Sequence, residues 1–280
     1  MKKKVLVASA LAAVLGLASL TPLAVRPASA DTASGEKRYY DYVGPSLCEI
    51  TTEEVTYTDR DPSYITTSYN VPYYIMLGSE LTNACGAVAG AIVVGFYDRY
   101  YENLIPNYTS YYTVNNRYKP VDGTYVYGVM ESLYTLMRTN VDDVGVSEYD
   151  CRDGLQAYVE NKGLSLSYSS IKSGGSFSYS LYKQAINANK PVLLFCTDLP
   201  ISFVSSSSTN TSDTITNDVI EGCHIVVGFG YHTINYYNGS TLFRTDNYLI
   251  VATGIHSNMP YYIKINSTSW LDNGYSVTIS

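Results

Sequence analysis

The chain has 280 residues, of which 46% are hydrophobic, 15% are charged and only ten are proline, a composition that excludes a disordered or collagen-like polymer. Its formal net charge of −7 provides no positive field to hold phosphates, which argues against nucleic acid as a partner. Tyrosine is over-used, with 30 residues against six Phe and one Trp; it suits a pleated, half-wetted surface, and the Ser/Thr/Asn-rich remainder fits a protein that works outside the cell.

Met1-Lys2-Lys3-Lys4 is a basic start. Residues 5–20 are uncharged and rich in Ala, Leu and Val, and Ala28-Ser29-Ala30 is a small-residue cleavage site. Together these predict a secretory signal peptide over residues 1–30, removed after Ala30. The apolar stretch is short for a span of about 20 residues. We therefore expect a secreted, extracellular product with no stable membrane insertion. Cleavage takes away Lys2, Lys3, Lys4 and Arg26 and no acid, which deepens the net charge from −7 to −11. What remains is long enough to bury about 70–75% of its unfolded surface around one core.

Residues 31–75 are polar, acidic and Tyr/Thr-rich, with Pro45, Pro62 and Pro72. They are expected to form an N-terminal extension of short strands and loops, compatible with a pro-segment, leading into a domain over 76–280. The first strong element opens near Asn83, where apolar residues at 88, 89, 92, 93 and 96 follow helical spacing. Thr82 or Asn83 can cap it, and Gly86, Ala87, Ala89, Gly90 and Ala91 let a neighbouring backbone come close. Further helices are predicted over 125–138, 153–162 and 179–188, and a strand over 191–196. Residues 205–218 are low-complexity and polar and predict a mobile loop. Strands follow at 225–231, 248–253 and 261–265, with Asn238-Gly239 as a hairpin turn. Helices first and antiparallel strands last predict an α+β fold, with N-terminal helices packed against a C-terminal antiparallel β-sheet.

All five cysteines, Cys48, Cys85, Cys151, Cys196 and Cys223, lie beyond the leader. An odd count in a secreted protein leaves at least one thiol over, and if that is Cys85 the others allow three pairings. There is no C-x-x-C, and the three histidines, His224, His232 and His256, lack the spacing of a structural zinc site, so neither metal nor cofactor is expected.

Cys85 stands at the predicted helix start, where unsatisfied N–H groups and the dipole favour a thiolate. Those N–H groups can also hold an oxyanion, with the Asn83 side-chain amide as a second donor. A cysteine nucleophile needs a base. His224 opens a strand directly after the polar loop, His232 ends that strand, and His256 lies beyond the next.

Asn83-Ala84-Cys85-Gly86 opening a long helix, then Lys190-Pro191-Val192-Leu193-Leu194, then Gly222-Cys223-His224-Ile225-Val226-Val227-Gly228 resembles the papain-like cysteine peptidases. The resemblance spans roughly residues 76–270 and is nearest to the branch of bacterial double-glycine-leader (bacteriocin-processing) peptidases and their secreted relatives. It implies a papain-like fold, Cys85 as nucleophile and His224 as general base and acid. The family's oxyanion glutamine has no counterpart, since position 79 is Ser, and Asn83 takes its place. The residue that orients the imidazole is Asp246 or Thr253: chemistry favours the carboxylate, and counting back from the Asn238-Gly239 turn favours position 253. The expected function is hydrolysis of a peptide or amide bond in a peptide or protein substrate by a monomer. The alternative is a binding or adhesion module at the cell surface, on the same scaffold, without turnover.

Overall fold

The computed structural model describes residues 37–39, 51–66, 71–75, 81–108, 113–114, 117–118, 123–141, 144–255, 260–265 and 267–280. The leader with its site at Ala30, Cys48 and His256 lie outside the described residues. In chain order the elements are β1 (Arg38–Tyr39), β2 (Thr51–Thr56), β3 (Asp59–Thr66), α1 (Cys85–Asp98), β4 (Thr113–Val114), β5 (Arg117–Tyr118), α2 (Gly123–Leu136), β6 (Val146–Ser147) and α3 (Glu148–Glu160). Then come β7 (Leu166–Ser170), β8 (Lys172–Ser173), β9 (Ser176–Phe177), α4 (Tyr179–Asn187), β10 (Val192–Ser206), β11 (Ser212–Asn238), β12 (Thr241–Ala252), β13 (Tyr261–Lys264) and β14 (Leu271–Ile279).

The α+β, papain-like expectation is corrected here. Among the described residues 47% lie in strands and 24% in helices, and the dominant unit is an eight-stranded antiparallel sheet. Its order is β2-β11-β12-β13-β10-β14-β7, with β3 also on β11 and a further β10–β11 pairing. The sheet is not confined to the C-terminal part. Strands β2 and β3, from the expected N-terminal extension, pair along β11, at 212–217 and 230–237 respectively. The expected mobile loop is instead the end of β10 and the start of β11, with Ser206 opposite Asp213, and only residues 207–211 form the turn between them. Composition misleads there because Thr and Ser read as loop. Yet Thr214-Ile215-Thr216 is β-branched and gains partners on both edges, which local sequence cannot show.

Strand β11 therefore changes neighbours along its length. One edge is taken by β10 over 213–228 and then by β3. The other is taken by β2 up to Asn217 and by β12 from Val227 onward. Between these, residues 218–226 have no strand on that edge among the described residues.

Alternation gives the sheet a core on each face, and a third, smaller cluster gathers Val55, Tyr57, Ile215, Ile234, Tyr236 and Tyr248. Leu193, Phe195, Cys223, Ile225, Val227 and Phe229 join α1, α2 and α3 on one face. Leu194, Cys196, Val226, Leu249 and Val251 join Tyr182 and Ile186 of α4 on the other. Every residue of α1 is buried, including Ile92, Val93, Val94 and Phe96. Burying such side chains is worth about 1.5–3 kcal/mol each, which overrides the weak helix propensity of β-branched residues and glycine. Helix α3 starts earlier than its apolar pattern suggests, because the Ser147 hydroxyl accepts from Asp150 N–H at 3.0 Å and Glu148 and Asp150 complement the helix dipole.

Candidate functional site

Cys85 is the first residue of α1 and is 2% exposed. The N-cap residue, Ala84, has no side chain able to cap. The N–H groups of Cys85, Gly86 and Ala87 precede the first helical bond, from Val88 N–H to Ala84 O at 2.9 Å. This end of α1 is pressed onto β11: a Cβ on Gly86 would stand 3.5 Å from Ile225 Cδ1 and 2.9 Å from Val146 Cγ1. The absent side chain is what permits that approach.

Asn83 precedes the helix in a left-handed conformation, φ 58°, which Asn tolerates. Its amide donates to Asn140 Oδ1 at 3.0 Å. Asn140 is a hub: its Oδ1 also accepts from Gly145 N–H at 2.6 Å, and its Nδ2 donates to Thr82 O at 3.1 Å and Tyr134 OH at 2.8 Å. The structure thus uses the Asn83 amide to tie the 82–83 turn to the end of α2, a role different from the oxyanion donor expected. Nothing in the spacing of Asn140 marked it, since an isolated Asn carries no pattern.

His224 lies on β11 opposite Cys196 and is 1% exposed. Strict alternation would put it on the face turned away from α1, with Cys196. However, β12 stops pairing at Ala252, and the ring reaches across this gap in the ladder to the main chain of Thr253. His224 Nε2 lies 2.8 Å from Thr253 O. A carbonyl only accepts, so Nε2 carries the proton and Nδ1 is the basic nitrogen. The next residue, Gly254, touches Val88 on the first turn of α1. The Thr253–Gly254 segment that holds the imidazole therefore lies against the first turn of the helix that begins with Cys85.

The two rivals for the orienting residue are separated by this geometry. Thr253 is at the imidazole through its backbone carbonyl, while its Oγ1 accepts from Ile255 N–H at 3.3 Å. Asp246 is elsewhere, opposite Ile234 on β11. It accepts from Arg244 Nε at 3.0 Å and lies 3.2 Å from Lys264 Nζ, and Glu53 of β2 bridges the same two cations. A carboxylate on a β-strand amid Tyr-rich sequence gave no hint of those partners, two of which come from other strands.

Cys151, Cys196 and Cys223 are buried thiols, and no disulfide joins them. Burial, and after it the Glu148 carboxylate, push the Cys151 thiol up to about 12. Burial pushes Cys196 well above the ordinary thiol value and raises Cys223 too. His232 is far along β11, among the rings of Tyr64, Tyr248 and Tyr262. A cleft of about 600 Å³ opens between α2 and the end of α3, lined by Val129, Glu131, Leu136, Tyr158 and Lys162, among others. Neither Cys85 nor His224 contributes to it. No protein-family model, no curated protein and no solved structure matches this chain.

Proposed function

We propose that this chain is a secreted cysteine hydrolase that cleaves a peptide or amide bond, with Cys85 as nucleophile and His224 as general base and acid. The observation that carries the reading is the 2.8 Å contact of His224 Nε2 with Thr253 O, in a segment whose next residue lies against the first turn of the uncapped helix that starts with Cys85. That contact keeps the proton on Nε2 and presents Nδ1 as the base. Nδ1 takes the Cys85 proton, and Sγ attacks the substrate carbonyl. The oxyanion that forms is held by the N–H groups at the start of α1. The imidazolium then protonates the leaving amine, and water, deprotonated at the same nitrogen, hydrolyses the thioester. The reading keeps the motif-level resemblance to the papain-like cysteine peptidases and not the layout that resemblance implied.

A second reading is a binding module without turnover. It is favoured by one observation: Cys85 and His224 are only 2% and 1% exposed, so a substrate carbonyl needs the rim to open before it meets the sulfur. Brief labelling with iodoacetamide at about pH 6 separates the two. The hydrolase reading expects Cys85 to label faster than Cys151, Cys196 and Cys223, and His224→Gln to abolish that advantage. If Cys85 reacts only after unfolding, the binding module replaces the hydrolase.

A further inference from the structure

We infer that Gly254 is the positioning residue of the base, because it aims the Thr253 carbonyl at His224. The inference rests on the hydrolase reading and supplies the part that no side chain provides. The acceptor at Nε2 is main chain, so no substitution of Thr253 can delete it. What sets its direction is the backbone on either side. Upstream, the β11–β12 ladder ends at Ala252, and no strand pairing fixes Thr253 among the described residues. Downstream stands Gly254 at φ 75°, a left-handed conformation that an L side chain adopts at a cost.

Space makes the same demand. A Cβ on Gly254 would lie 2.8 Å from Val88 Cγ1, closer than ordinary contact, with Val88 Cβ behind it at 3.6 Å. Val88 itself is 2% exposed and packed within the main core, so it has little room to yield. Any larger residue at 254 must either leave the left-handed region or push against α1. Both movements swing the Thr253 peptide and carry its oxygen off Nε2. Val88 is also one helical turn after Cys85, so one contact sets both the carbonyl that holds the base and the distance between the base's strand and the nucleophile's helix.

The chemical consequence follows from what the carbonyl does. An acceptor at Nε2–H favours the imidazolium over the neutral ring, because the charged donor makes the stronger bond. Losing it lowers the imidazolium's stability and, with it, the share of Cys85 present as thiolate near pH 6. It also frees the ring to rotate and to exchange its proton between the two nitrogens.

The test is Gly254→Ala, with Val88→Ala and the double variant Val88→Ala/Gly254→Ala beside it. Two readouts are needed: the pH profile of Cys85 alkylation by iodoacetamide, and the ¹⁵N shifts of the His224 ring, which report its tautomer. We expect Gly254→Ala to slow Cys85 labelling at pH 6 about tenfold, the scale of one lost hydrogen bond to a charged group, and to move the profile to higher pH. The His224 shifts should move away from the Nε2–H form. The double variant should recover part of the loss by clearing the space around the new methyl group. A folded Gly254→Ala protein with the wild-type profile and the wild-type ring shifts overturns the inference. Should Gly254→Ala not fold, the double variant carries the same comparison against Val88→Ala. Should wild-type Cys85 prove unreactive, the hydrolase reading fails, while the ring shifts still decide whether Gly254 positions the carbonyl.

Discussion

Asp213 is the residue whose loss should cost this fold most for its size. It is fully buried at the start of β11. Its carboxylate accepts from Tyr57 OH and Tyr236 OH, each at 3.0 Å, and meets Arg60 of β3 at 3.0 Å. These contacts tie the turn between β2 and β3 to two stretches of β11 that are more than twenty residues apart. Burial, with the neighbouring carboxylate, pushes both Tyr hydroxyls upward, so they remain neutral donors. Asp213→Ala removes the acceptor of all three. Breaking a buried pair costs about 3–5 kcal/mol. The Arg60 side chain is 26% exposed and can turn to water, which favours the low end for that pair. Two buried hydroxyls left without their acceptor add to it, and we expect about 4 kcal/mol in total. Asp213→Asn keeps the shape and part of the accepting capacity and should cost about half as much. With a urea slope of about 3 kcal/mol/M for a chain of this size, Asp213→Ala should lower the midpoint by roughly 1.3 M at unchanged slope. A shift under about 0.3 M would refute the reasoning and show that strand pairing alone holds β2 and β3.

Asp246→Asn should leave the rate of Cys85 alkylation unchanged and lower stability by about 2–3 kcal/mol, because Arg244 and Lys264 are left with Glu53 as their one carboxylate; a fall in labelling at unchanged stability would restore it as a partner of the base. Burial, chiefly, and the Arg60 charge lower the pKa of His232 from its ordinary value near 6.5, against the opposing pull of Asp213. The unfolded chain therefore binds the proton more readily, and stability present above about pH 6.5 is lost as the pH falls through the folded value. Denaturation of His232→Gln between pH 7 and 5 should show a shallower loss than the wild type, and parallel curves would count against this. Export with cleavage after Ala30 predicts a protein beginning Asp31-Thr32-Ala33, and N-terminal sequencing that finds Met1 in membrane-bound material would indicate an anchor instead.

The helix that begins at Cys85 was legible in the residues themselves, since an apolar run with small residues and no charge before Asp98 has few other stable placements. So was the hairpin, to within one residue: Asn238 still pairs with Thr241 and the turn is Gly239-Ser240 rather than Asn238-Gly239, with Gly239 at φ 58°. Helix α4 likewise starts at Tyr179, one residue after the Ser178 cap. These features are local: spacing, capping and turn chemistry act over a few residues, and nothing distant has to agree.

The sheet was not legible in that way. Whether 205–218 is loop or strand depends on β2 arriving on its outer edge, and β2 lies about 160 residues earlier in the chain. The charges of Asp213 and Asp246 are tolerable inside only because Arg60, Arg244 and Lys264 come from other positions to meet them. The same holds at the candidate site. Residue type and spacing named Cys85 and His224, but the acceptor that orients the imidazole is a carbonyl, which every residue possesses. Side-chain chemistry could nominate only Asp246 or the Thr253 hydroxyl for that place. Where β12 stops, how Gly254 turns and how closely Val88 approaches decided it, and those are properties of packed backbone that no residue carries alone.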